Sequence, residues 1–145
     1  MKTQSAVRLT EVEVKRLLDH FDDSSDTPLH EGLDFISYSE KLSKNAHFIL
    51  ILENDKMMAF LAYYLNDEKH FAYVPQVVVH REGRHKGLGH KMFAALEESL
   101  DSNYDTIQLE VLKSNRNARK FYEREGFTDK EERNERILLV KSRKI

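Results

Sequence analysis

The 145-residue chain contains no cysteine. Disulfides, thiolate nucleophiles and thiolate metal sites are excluded together, and a reducing compartment fits. Charge of one sign is also lacking, because 23 basic side chains face 25 acidic ones for a formal net charge of −2. No global field draws the chain to nucleic acid or to an anionic membrane, so any basic patch must be local. No apolar run approaches membrane-spanning length, the first residues lack the charged-then-apolar order of a signal peptide, and no repeat or low-complexity tract is present. A cytoplasmic protein with no membrane and no nucleic-acid partner is expected. With 40% hydrophobic and 33% charged residues, the length suffices for one domain, 1–145, with a buried core.

Along the chain, residues 6–9 predict a short strand, and Thr10 followed by Glu13 has the form of a capping box opening a helix. Val14, Leu17, Leu18 and Phe21 give that helix an apolar face. Asp22, Asp23, Ser24, Ser25, Asp26, Thr27 and Pro28 read as a loop. A second helix is predicted over 33–44, with Leu33, Ile36 and Leu42 inward and Tyr38 open. Strands follow over 48–52 and 57–65 around an Asn54-Asp55 turn, and a third over 71–79 after Asn66-Asp67. Pro75 cannot donate to a ladder, so a bulge or an interruption in pairing is expected near 74–76. A helix over about 87–100, a strand over 106–112, a short helix from Asn115 to Gly126, and a last hairpin of 127–132 and 137–140 complete the order. In the strand over 106–112, Ile107, Leu109 and Val111 share one face and leave Gln108 and Glu110 on the other.

The stretch from Val77 to His90 organises the rest. A valine run enters a basic loop with glycines, and Leu88, Met92, Ala95, Leu96 and Leu100 then recur at helical spacing. Such a strand-to-helix junction binds anions, because the first helical turn presents unpartnered backbone N–H groups and the positive end of the peptide dipoles. Gly87 and Gly89 allow close backbone approach to a diphosphate, while Arg84, His85, Lys86 and Lys91 supply positive charge. Two familiar glycine loops fail on spacing. A dinucleotide fingerprint needs glycine where Met92 stands, and a Walker loop from Gly83 needs glycine where Leu88 stands.

What remains, Arg84-x-x-Gly87-x-Gly89 after a valine strand, resembles the acetyl-CoA loop of the GNAT (Gcn5-related) N-acetyltransferase superfamily. A second segment, Leu109-Glu110-Val111-x-x-Ser114-Asn115-x-x-Ala118-x-x-x-Tyr122-x-x-x-Gly126-Phe127, resembles that superfamily more specifically. The resemblance implies an α/β (α+β) GNAT fold, a mixed and mostly antiparallel sheet of six to seven strands with helices on both faces. It also implies that the strands flanking the cofactor helix splay apart around pantetheine.

The resemblance assigns roles in turn. Acetyl-CoA is the expected co-substrate, contacted by Val77, Val78, Val79, Arg84, His85, Lys86, Gly87, Leu88, Gly89, His90 and Asn115. Val77 and Val79 are read as core strand residues whose backbone pairs with pantetheine amides, and a backbone N–H near Val78 as the group that polarises the thioester carbonyl. Tyr122 is the expected acid for the departing thiolate, since a phenol of pKa ~10 is protonated at neutral pH. Taken alone, Tyr122 reads as a core aromatic and Asn115 as a helix cap. Glu110 is the candidate base, matching the glutamate of Leu-Glu-Val in ribosomal-protein N-terminal acetyltransferases; by itself it reads equally as a solvated strand carboxylate. His80, His85 and His90 recur every five residues, share no helix face and join no carboxylate cluster, so no metal is expected.

The acceptor is read only as a primary amine, whether small molecule, amino sugar or peptide N-terminus. Asp22, Asp23, Asp26 and Glu31 would make the first inter-helix loop acidic and suit a cation. Residues Asp34, Tyr38, Lys41, Tyr63 and Asn66 lie in stretches more like GNAT members that modify sugars. A monomer or homodimer is expected, and a non-catalytic acyl-CoA-binding module is the alternative to an enzyme.

Overall fold

A computed structural model describes residues 1–22 and 35–143. Its elements are β1 (Lys2–Val7), α1 (Glu11–Asp22), α2 (Phe35–Asn45), β2 (His47–Glu53), β3 (Lys56–Asn66), β4 (Phe71–Val79), a 3-10 turn (Arg81–Gly83), α3 (Leu88–Ser99), β5 (Thr106–Leu112), α4 (Arg116–Arg124), β6 (Thr128–Arg133) and β7 (Arg136–Ser142). The strands form one mixed sheet in the order β1-β2-β3-β4-β5-β7-β6, with β4 and β5 parallel. The chain divides into two compact units, Met1–Tyr64 with Gln76–Ser99, and Leu65–Pro75 with Leu100–Ile145. Leu33, Asp34 and the acidic loop of Asp23, Asp26 and Glu31 lie outside the described residues, as does the side chain of Asp22.

In the first unit, helix α1 begins where its capping box predicts. The Thr10 N–H donates to Glu13 Oε1 at 2.9 Å and the Glu13 N–H to Thr10 Oγ1 at 3.2 Å. Val14, Leu17, Leu18 and Phe21 are buried and meet Tyr38 and Leu42 of α2 over Phe48, Leu50, Phe60, Ala62 and Val78. Alternation leaves Ile49 and Ile51 on the other face of β2, fully buried, and α3 runs against β1 and β2. Asn54 and Asp55 both take positive φ, 50° and 64°, the conformation a tight hairpin turn demands.

The first strand and the second helix depart from expectation in this unit. The first strand runs over Lys2–Val7 rather than 6–9, because pairing with β2 selects it: Lys2, Thr3 and Gln4 lie opposite Leu52, Ile51 and Leu50, with an irregularity at positive-φ Ala6 before Val7 meets Phe48. Ile36 points outward at 58% exposure, since α2 starts at Phe35 and turns Tyr38 and Leu42 to the core.

In the second unit, Phe71↔Thr106 to Tyr73↔Gln108 pair β4 with β5, and Pro75 comes after that ladder. Ile107, Leu109 and Val111 are buried and alternate with half-buried Gln108 and Glu110, as predicted. β7 pairs antiparallel with both β5 and β6, and Ile137, Leu138 and Leu139 are buried. Every residue of β6 is exposed, and the charges from Asp129 to Arg133 discourage another strand from adding to that edge. Arg143 donates to the carbonyls of Leu100, Asp101 and Tyr104 at 3.0, 2.8 and 2.6 Å, tying the end of β7 to the connection before β5. Among the described residues no helix is long and apolar enough to cross a membrane.

Removing the capping hydroxyl with Thr10→Ala should destabilise the chain by about 1 kcal/mol, the usual cost of a lost N-cap. Denaturant midpoints of the two proteins, compared at equal slope, measure it.

Candidate active site

In the first unit, β4 delivers the chain into the basic loop. Val78 is buried in the core, whereas Val77 and Val79 are only half-buried. This corrects the reading of Val77 and Val79 as core residues. Side chains alternate along the strand, and Val74 and Val78 hold the inward positions.

At the strand's end the His80 N–H donates to the Met58 carbonyl at 2.8 Å, and His80 Nδ1 accepts the Glu82 N–H at 3.2 Å. The turn that follows was not predicted. Gly83 is buried, and a Cβ there would sit 2.8 Å from Leu88 Cδ1 and 3.3 Å from Met58 Cε. Leu88 is itself 2% exposed. Its side chain is therefore a core anchor that starts α3, and only its backbone is available to a ligand.

Between these anchors Arg84, His85, Lys86 and Gly87 are exposed, with His85 at φ 66° and Gly87 at φ 72°. Among the described residues no atom beyond Gly87 and its two chain neighbours lies within 4 Å of the position a Cβ would take there, so glycine serves the left-handed backbone, not the relief of a clash. His90 and Lys91 are exposed in the first turn of α3. Lys86 Nζ stands 3.7 Å from Glu53 Oε2, so part of its charge is already met. The turn's flank is tied by Lys56 to Glu82 at 2.6 Å. This is a water-facing, positively charged turn at a helix N-terminus, a shape that fits a diphosphate.

His80 stacks on His20 with centroids 5.5 Å apart and 25° between planes, and Phe21 meets His80 edge-on. His20 Nε2 lies 3.0 Å from the Met57 carbonyl. Burial, then the charge of Lys56, holds His80 below its ordinary 6.5; Glu82 opposes this, and His20 and Arg81 add to it. His47, stacked on Tyr63, is likewise lowered by burial and by Arg8.

In the second unit, Asn115 caps α4: its Oδ1 accepts the Ala118 N–H at 3.1 Å. The helix closes on Gly126 at φ 101°, with the Phe127 N–H returning to the Tyr122 carbonyl at 2.9 Å. The Tyr122 ring is flanked edge-on by Phe121 at 5.3 Å and Phe127 at 5.5 Å. The residue keeps some exposed surface, but its phenol is sunk deeply enough that burial alone pushes its pKa up to about 12.

Glu110 lies on the β5 face predicted for it. Its Oε2 accepts Arg133 Nη1 at 2.9 Å, and Arg133 also donates from Nε and Nη2 to Glu131 Oε2 at 3.2 and 3.0 Å. Tyr73, paired with Gln108 on the neighbouring strand, has its pKa raised by burial first and by the Glu110 charge second. Sequence reasoning missed Gly83 and His80 beside the turn of the first unit, and Tyr73 and Arg133 beside Glu110 in the second. Alternation could have put Tyr73 beside Gln108, but nothing local in the sequence signals that Arg133 meets Glu110.

A sequence model described as the acetyltransferase (GNAT) family matches residues 12–127. No curated protein sequence matches the chain. Among solved structures, the chain is similar to an acetyltransferase from Thermus thermophilus, with TM-score 0.81 and 14% identity over 99% of this chain and 98% of that one. It is similar to the PaiA N-acetyltransferase of Thermoplasma acidophilum in complex with coenzyme A, with TM-score 0.76 and 15% identity over 99% and 100%. It is also similar to the ribosomal-protein-S18-alanine N-acetyltransferase of Escherichia coli, with TM-score 0.76 and 19% identity over 97% and 92%. At such identities the likeness is one of fold.

Because His80 and His47 are held below 6.5 in the folded chain, their neutral forms contribute stability that is complete above that value and lost as pH falls through the folded pKa values. Glu13, Glu40 and Glu82 are lowered from 4.5, so their contributions fail only further down. The denaturation midpoint should therefore already fall between pH 7.5 and 5.5. His80→Asn, which keeps an acceptor for the Glu82 N–H but does not titrate, should flatten that slope, as urea titrations at several pH values would record.

Proposed function

The chain belongs to the GNAT acetyltransferase family, and from that premise we propose that it moves an acetyl group from acetyl-CoA to a primary amine by direct attack. The observation that carries this reading is the exposed turn from Arg84 to Gly87, left-handed at Gly87, at the head of α3. The nucleotide-bearing thioester, when bound, supplies an activated acyl group. Backbone N–H groups from Gly87 into the first turn of α3 would hold its diphosphate, with Arg84, His85, Lys86, His90 and Lys91 as countercharge. Support from a relative comes in the form of coenzyme A itself, bound to the PaiA enzyme of similar fold.

The remaining roles belong to this chain's own groups. The backbone of Val77 and Val79 would pair with the pantetheine amides, and a backbone N–H near Val78 would face the carbonyl oxygen. Asn115 spends Oδ1 on its cap, so its Nδ2 is the atom free to reach the cofactor. An alkyl amine arrives as an ammonium and must lose a proton before it attacks. Glu110 would take that proton on Oε1, since Arg133 engages Oε2. Tyr122, whose burial keeps the phenol protonated well beyond neutral pH, would return a proton to the departing thiolate. The two units would act together as one acetyltransferase domain working in the cytoplasm.

Thiol release from acetyl-CoA, measured against a panel of amines, tests this. Tyr122→Phe should lower kcat by roughly 10² or more, the usual worth of a general acid, while leaving acetyl-CoA affinity in place. Exchanging Gly87 for valine should instead weaken acetyl-CoA binding in calorimetry, because a β-branched residue strains the left-handed backbone. Unaltered affinity in that variant would remove the loop from the site. Binding without thiol release from any amine would favour the non-catalytic acyl-CoA module.

A further inference from the structure

Glu110, Leu138 and Glu131 stand opposite one another across β5, β7 and β6, and Arg133 follows Glu131 two residues later on the same face of β6. The guanidinium therefore reaches both carboxylates, but its attachments are unequal. Two N–H groups go to Glu131 Oε2, at 3.0 and 3.2 Å, and one goes to Glu110 Oε2, at 2.9 Å. The contacts to both partners raise the pKa of Arg133, which stays cationic throughout. Water reaches all three side chains, with exposures of 45% for Arg133, 24% for Glu110 and 58% for Glu131.

Resting on the reading of Glu110 as the base, we propose that Arg133 holds on Glu110 the place of the acceptor's ammonium and falls back on Glu131 when the acceptor binds. Letting go of Glu110 breaks one hydrogen bond and leaves the guanidinium fastened to Glu131 by two. Exposed ion pairs contribute little net free energy, so the exchange is cheap. Arg136 stands opposite Arg133 on β7 and adds a second cation to the same face, so the cluster has a counterion for Glu131 to keep and one for Glu110 to exchange. Arg133 thus competes with the substrate for the base.

Steady-state kinetics of Arg133→Gln and Glu131→Gln, with ethylamine as the acceptor, test the exchange. Arg133→Gln should lower the KM for ethylamine by roughly two- to fivefold, the range an exposed pair supports, with the acetyl-CoA KM unchanged. Glu131→Gln, which leaves Arg133 with Glu110 as its partner, should raise the ethylamine KM. The double variant should behave as Arg133→Gln alone, and Arg133→Lys should restore the wild-type KM. A raised ethylamine KM in Arg133→Gln overturns the proposal.

A readout without turnover accompanies the kinetics. In the CoA-loaded protein, ethylammonium should shift the Arg133 side-chain ¹⁵N resonance towards its position in Glu110→Gln. No shift at saturating ethylammonium also overturns the exchange. Undiminished kcat in Glu110→Gln would instead sink the base assignment, so the two failures are distinguishable.

Discussion

The contact between Leu88 and the bare backbone of Gly83 fixes where α3 begins. Any side chain at Gly83 would crowd the Leu88 methyl at 2.8 Å, and Leu88 is too deeply buried to move freely. Met58 closes the same spot from β3, by its side chain beside Gly83 and by its carbonyl to the His80 N–H. Between these fixed points the residues from Arg84 to Gly87 have no role in the core. They are displayed to water with the helix N-terminus behind them. A turn proposed to bind an anion is selective only if it is held, and here two buried neighbours hold it.

His80 makes the same flank sensitive to protonation. His80 uses Nδ1 as an acceptor for the Glu82 N–H, which only the neutral ring can do. Its ring lies against His20 and Phe21, so a proton is disfavoured both by lost solvation and by Lys56. The three histidines of this segment take different positions. His80 braces the turn, while His85 and His90 lie exposed on it and on α3.

The second unit separates two chemical environments by the alternation of a single strand. Ile107, Leu109 and Val111 enter the core, and Gln108 and Glu110 face Tyr73, Arg133 and the charged outer strand. Tyr122 is treated in the opposite way. Burial among Phe121 and Phe127 keeps it neutral, whereas Glu110 keeps contact with water and with a counterion. The two side chains proposed as acid and base thus differ in environment as much as in residue type.

The sequence by itself determined the element order, the capping box at Thr10, the turns at Asn54-Asp55 and Gly126, the β5 alternation and the two motifs, because each depends on residues within a few positions of one another. It misplaced β1, whose polar residues become a strand by pairing with Leu50, Ile51 and Leu52. It also misjudged Ile36, and it took Val77 and Val79 for core where Val78 is buried. Tertiary structure decided that Arg133 meets Glu110 across 23 positions, that His20 stacks on His80, and that Gly83 lies under Leu88. Local patterns record which face a side chain takes. Which partner it finds there depends on strand register and helix packing, and those are set by contacts between residues remote in the chain.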